Sequence, residues 1–186
     1  MKVLITGASG LLGRAIKSEL EKVPSWQILG LGFSRLDDGL RKVDLTNTEE
    51  LNQVMCDFKP DVVVHSAAER RPDVVGTKEA ETEALNIQAT ENIAKLTEGS
   101  SGFLLYISTD YVFDGTSPPY KVHSQPNPLN KYGKTKLEGE LKTNCCQRHA
   151  ILRVPILYGD VQYVGESAVT GMSIIFQNFD CKVSMF

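Results

Sequence analysis

The sequence has no apolar stretch near the roughly 20 residues a helix needs to cross a bilayer, so no membrane span is expected. It also has no run of Lys or Arg. Its 20 basic and 23 acidic residues leave a formal net charge of −3, which argues against nucleic acid or an anionic membrane surface as a partner. The four cysteines (Cys56, Cys145, Cys146 and Cys181) lack metal-ligand spacing. The three histidines are no better placed: His65 falls at a strand end, and His123 and His149 have no partner spacing. No metal centre or disulfide framework is expected, and a reduced, cytoplasmic setting follows, with the nucleus as a second compartment. Met1 leads directly into a strand, so no secretory signal is expected. Internal repeats and low-complexity segments are absent as well. What remains is an ordinary composition, 41% hydrophobic and 23% charged over 186 residues, suited to one soluble domain with a single core.

The first fifteen residues organise that domain. Val3, Leu4 and Ile5 form the short apolar run of a strand buried on both faces. Gly7, Gly10 and Gly13 follow at three-residue spacing, and then Leu11, Leu12, Ala15, Ile16 and Leu20 recur at helical spacing. Strand, glycine turn and helix together make the context that a dinucleotide fingerprint requires. Glycines there permit a tight turn, a close approach of backbone N–H groups to a pyrophosphate, and close helix–strand packing. The bland alternative is a glycine-rich turn with no ligand.

Further on, strands are predicted at 27–32, 41–44, 61–65, 103–108 and 150–154. Helices are predicted at about 46–58, 79–96 and 129–144. Strands alternating with helices imply an α/β protein, a doubly wound parallel sheet of the NAD(P)-binding Rossmann type. One domain is expected through residue 170, followed by a divergent apolar tail, 171–186, that contains Ile174, Ile175, Phe176 and Phe179.

Two places carry charge chemistry. An Asp or Glu that would hold the ribose 2′-hydroxyl of NAD is missing from the end of the second strand, where Arg35 stands. A guanidinium suits the 2′-phosphate of NADP, which makes NADP the first choice and NAD the second. Asp37 and Asp38 remain candidates for the missing acid, and a solvated loop arginine is the competing assignment for Arg35. Tyr132 and Lys136 lie at i and i+4 on one helical face. An ammonium beside a tyrosine lowers its pKa, as a tyrosine acid in carbonyl reduction needs, and Ser108-Thr109 offers hydroxyls for a substrate carbonyl. An exposed helix face is the alternative for that pair. Arg70 and Arg71 read either as ligand or partner contacts or as an exposed basic loop.

With these pieces in place the chain resembles the extended short-chain dehydrogenase/reductase family over residues 1–170. The matching motifs are Thr6-Gly7-x-x-Gly10-x-x-Gly13, Asp44-Leu45, His65-Ser-Ala-Ala68, Ser108-Thr-Asp-Tyr-Val-Phe113, Tyr132-x-x-x-Lys136 and Arg153-x-Pro-x-x-Tyr-Gly159. Within that family it is similar to the sugar-nucleotide reductases that make dTDP-rhamnose. It is more similar still to the regulatory β subunits of methionine adenosyltransferase, above all in Glu69-Arg-Arg-Pro-Asp73. The resemblance implies that Gly7, Gly10, Leu11, Leu12 and Gly13 lie under the pyrophosphate of NADP. It places Phe33, Ser34 and Arg35 at the 2′-phosphate and Asp44 with Leu45 at the adenine. Ser66, Ala67 and Arg70 would line the path inward, Tyr132 and Lys136 would hold the nicotinamide ribose, and Leu157 would face the nicotinamide. Thr109, Tyr132 and Lys136 match the catalytic set of an active reductase. The implied partner is the methionine adenosyltransferase catalytic subunit, whose S-adenosylmethionine synthesis the chain would modulate. The family's C-terminal lobe is largely missing, which suggests truncation or splicing. It leaves open both a keto-sugar reductase and a non-functional isoform.

Overall fold

In a computed structural model, residues 1–36, 39–167 and 169–171 are described. Asp37, Asp38 and all but the first residue of the expected tail lie outside them. The chain divides into two compact units, Met1–Pro155 and a shorter one beginning at Ile156.

The larger unit is built on six strands: β1 (Lys2–Thr6), β2 (Gln27–Gly32), β3 (Leu40–Lys42), β4 (Val62–His65), β5 (Phe103–Thr109) and β6 (His149–Val154). All pair in parallel, in the order β3-β2-β1-β4-β5-β6. The doubly wound sheet expected from the sequence is therefore present. Alternation along β1 sends Leu4 to one face and Val3 and Ile5 to the other, and all three are buried. Leu4 joins Leu31, Val63 and Leu104 beneath α2 (Thr48–Phe58) and α5 (Ala89–Gly99), through Leu51, Val54, Ile93 and Ala94. On the opposite face Val3, Ile5 and Val64 pack against Leu12, Ile16 and Leu20 of α1 (Leu11–Leu20). Val3, Leu4 and Ile5 are thus covered whichever way they point, the burial that a continuous apolar run demands.

The winding reverses between β1 and β4. Open α/β sheets bind ligands beyond the carboxyl ends of the strands at such a switch point.

Local signals set most boundaries. Asn47 caps α2, its side chain accepting from the N–H groups of Glu49 at 3.0 Å and Glu50 at 3.3 Å, and Lys59 closes it with φ 52°. The helix expected over 79–96 differs. It runs as α4 (Glu79–Glu83), a single π turn (Ala84–Gln88) and α5, preceded by the unanticipated short helix α3 (Pro72–Thr77). The π turn adds a residue to the helical repeat and turns Asn86 inward, where it is buried. Helix α6 (Lys131–Thr143) is capped by Asn130, whose side chain accepts from Gly133 N–H at 2.7 Å. No helix among the described residues is long and apolar enough to cross a membrane.

Candidate functional site: a cleft at the sheet's switch point

The turn after β1 is shaped by two glycines that nothing else can replace. Gly7 has φ +66°, and a Cβ there would stand 2.7 Å from the Ala67 nitrogen just beyond β4. A Cβ on Gly13 would stand 2.1 Å from the Gly7 carbonyl oxygen. The start of α1 therefore lies directly on the turn, as helix packing against a fingerprint strand requires. Gly10 is the N-cap residue and supplies no side-chain cap, so the helix N-terminus, with Leu11 and Leu12 in its first turn, carries its dipole uncapped by any side chain. Across the switch point, Ser66 Oγ donates to the Thr6 carbonyl at 2.6 Å and Ala67 N–H donates to Thr6 Oγ1 at 3.3 Å.

Outward from the turn, beyond β2 and β3, lies a cavity of about 560 Å³ lined by Phe33, Arg41, Lys42, Val43, Asp44, Glu50, Gln53 and Val54. Phe33 and Ser34 are exposed and Arg35 is half-buried. The Lys42 ammonium lies 5.9 Å from the centre of the Phe33 ring. Asp44 is fixed locally: its Oδ1 accepts from the Thr46 N–H at 2.9 Å and hydroxyl at 2.6 Å. Leu45 packs into the core instead, beside Val43 and Leu51.

Inward, beyond β4 and β5, the polar groups are buried and committed to one another. His65 bridges Thr6 Oγ1 at 2.7 Å and Thr90 Oγ1 at 2.9 Å. Burial, reinforced by the Lys136 charge, drives its pKa down to about 3, so the ring is neutral. Lys136 is wholly buried, its ammonium 4.0 Å from the centre of the Tyr106 ring. Burial lowers its pKa to about 7, with the Glu140 carboxylate opposing the shift. The Tyr132 hydroxyl moves opposite to the sequence expectation, up to about 12, because burial outweighs the one cation that acts on it. That cation is Arg70, not Lys136. The Tyr132 ring meets Tyr111 edge-on at 6.2 Å. Thr109 Oγ1 accepts from Tyr111 N–H at 3.2 Å and donates to Asp110 at 3.3 Å. Ser108, expected to share a carbonyl with Thr109, instead donates at 2.5 Å to Glu140, which also holds Arg153 through two hydrogen bonds of 2.9 and 2.6 Å.

Asn86 escaped the sequence reading. Its amide accepts from Glu69 N–H at 2.8 Å and donates to the Glu69 carbonyl at 2.9 Å and to Thr135 Oγ1 at 3.0 Å. It thereby ties the turn that carries Arg70 and Arg71 to the helix that carries Tyr132 and Lys136. The available signal was a single amide set among the apolar positions Ala84, Ile87 and Ala94. The remaining expected residue, Leu157, belongs to the second unit, where it is half-buried and its carbonyl accepts from Ser167 Oγ at 3.2 Å.

A glycine turn at the switch point of a six-stranded parallel sheet, with helices on both faces, defines a Rossmann-type fold of the NAD(P)-binding class. A dTDP-4-dehydrorhamnose reductase from Bacillus anthracis, solved in complex with NADP, superimposes with a TM-score of 0.80 at 29% identity, covering 96% of this chain and 61% of that one. The chain belongs to the family described as the RmlD substrate binding domain, whose model matches residues 1–179. Among its relatives, methionine adenosyltransferase 2 subunit beta of Xenopus tropicalis is 52% identical over 172 residues, 91% of this chain and 51% of that protein. A dTDP-4-dehydrorhamnose reductase from Aggregatibacter actinomycetemcomitans is 32% identical over 181 residues, 96% of this chain and 58% of that protein. The chain thus spans about half the length of the curated relatives it matches.

Proposed function

We propose that this chain is the nucleotide-holding part of a methionine adenosyltransferase regulatory subunit, which binds NADP and docks on the catalytic subunit to modulate S-adenosylmethionine synthesis. The observation that carries this reading is the 52% identity to subunits of that name, against 32% to a reductase.

The residues present fit a dinucleotide. Gly7 and Gly13 let the turn close on β4 and α1 as a fingerprint turn must, and α1 presents an uncapped N-terminus to a pyrophosphate. The outer cavity carries basic side chains where an adenosine phosphate would lie. In this reading Phe33, Ser34 and Arg35 face the 2′-phosphate, Asp44 the adenine, and Ser66, Ala67 and Arg70 the inner ribose. Tyr132 and Lys136 hold the nicotinamide ribose. When bound, the cofactor supplies hydride chemistry. What the chain's own residues supply is retention: burial raises the Tyr132 pKa, which leaves its hydroxyl a hydrogen-bond donor rather than a ready proton source at neutral pH.

A keto-sugar reductase is the second reading, favoured by Thr109, Tyr132 and Lys136 standing on neighbouring elements. There Tyr132 would give its proton to the carbonyl oxygen and Thr109 would hold that oxygen. The deciding experiment mixes the chain with the catalytic subunit, with and without NADP, and follows complex mass by light scattering together with methionine dependence. A defined complex with altered methionine dependence, kept in Tyr132→Phe, supports regulation. NADPH oxidation with a keto-sugar nucleotide that Tyr132→Phe abolishes would replace this reading by the reductase.

A further inference from the structure

We propose that Lys42 selects NADP over NAD, its ammonium pairing with the 2′-phosphate at the outer end of the cleft; this rests on the dinucleotide reading above. Lys42 ends β3, where it pairs in register with Gly32, the last residue of β2. Its neighbour Val43 is buried in the core, while Lys42 is exposed and lines the outer cavity beside Phe33. An ammonium within about 6 Å of a ring centroid is attracted by the ring's negative face, and Lys42 lies 5.9 Å from the centre of the Phe33 ring.

The other charged side chains around that cavity are committed. Arg41 reaches Asp57 at 3.6 Å. Glu50 accepts from Asp44 N–H at 3.0 Å through one oxygen and from the Asn47 amide at 3.1 Å through the other. Asp44 holds Thr46. Glu50 lies in the first turn of α2, whose dipole offsets its charge. Lys42 makes no ion pair among the described residues. A phosphate dianion gives that ammonium a charge-assisted acceptor, whereas the 2′-hydroxyl of NAD offers a neutral one. The contribution of Lys42 is therefore confined to the phosphorylated nucleotide, which is what selectivity requires. Arg35, already assigned to the 2′-phosphate, would act as the second cation.

Calorimetric titration of the whole chain with NADP, NAD, 2′,5′-ADP and 5′-AMP tests the assignment in wild type, Lys42→Gln and Lys42→Arg. Lys42→Gln is expected to weaken NADP and 2′,5′-ADP about tenfold and to leave NAD and 5′-AMP within about twofold, with Lys42→Arg recovering most of the loss. Equal weakening of all four ligands, or of none, overturns the role of Lys42 and leaves the dinucleotide reading standing. Equal wild-type affinity for NADP and NAD does the same. If wild type binds none of the four, the dinucleotide reading falls and takes this inference with it.

Discussion

The two ends of the cleft are built by opposite means. The outer end is made of backbone and space: a turn that tolerates no Cβ at Gly7 or Gly13, an uncapped helix start, and an open cavity with an uncommitted lysine among the described residues. The inner end is made of side chains already engaged with one another: His65 with two threonines, Asn86 with Glu69 and Thr135, and Glu140 with Ser108 and Arg153. The outer end can accept a charged ligand without giving anything up. The inner end is a preassembled floor in which burial pushes His65, Lys136 and Tyr132 toward their neutral forms while Glu140 and Arg153 stay paired. Shape therefore governs one end and polar satisfaction the other.

Mutations should separate the two. The largest effect is expected from Gly13→Val, because a Cβ 2.1 Å from a backbone oxygen forces α1 away from β1. A loss of about 3 kcal/mol or more in urea unfolding, with nucleotide binding abolished, is the expected result. An unchanged midpoint would mean that the turn is softer than its packing implies. At the inner end, Glu140→Ala strands Arg153 and Ser108 and should cost about 3 kcal/mol, read by the same unfolding curve.

Asn86→Ala comes next, at about 1–2 kcal/mol. Its particular mark is faster hydrogen exchange across 69–71 while the Gly7–Gly13 turn stays protected. Equal exposure of both segments would deny that the two ends are independent. Acid titration gives a further contrast. His65 has a folded pKa near 3 against an ordinary 6.5, so between those values the unfolded chain binds a proton that the folded chain refuses. Stability should fall as pH drops from about 6.5 to 3 and level off below, and His65→Gln should flatten that limb.

The smallest effect is predicted where Glu91 joins Lys95 and Lys142 on the surface of α5 and α6. There Lys142→Ala should leave the unfolding midpoint unmoved at high salt.

What was legible in the sequence follows the same division. The β1 run and the glycine spacing are local patterns within a few residues, so strand, turn and helix could be read in order. Tyr132 and Lys136 were visible as a pair at i and i+4, yet their chemistry was not. The tyrosine is raised by burial and opposed by Arg70, 62 positions earlier in the chain. Asn86 was missed because its meaning lies in Glu69 and Thr135, and Ser108 was misassigned because Glu140 is on another element. Contacts of that kind have no period. The π turn was equally invisible, since one extra residue leaves an amphipathic pattern almost unchanged.

The central position of β1 carries a consequence for how the molecule comes into being. One of its neighbours, β2, begins at Gln27, but the other, β4, begins only at Val62. During synthesis β1 therefore waits, half covered, until the chain has grown on from Thr6 to Val62. Over that interval one edge of β1 is open to any passing strand, and a chaperone that shields β1 would act there before the sheet can close.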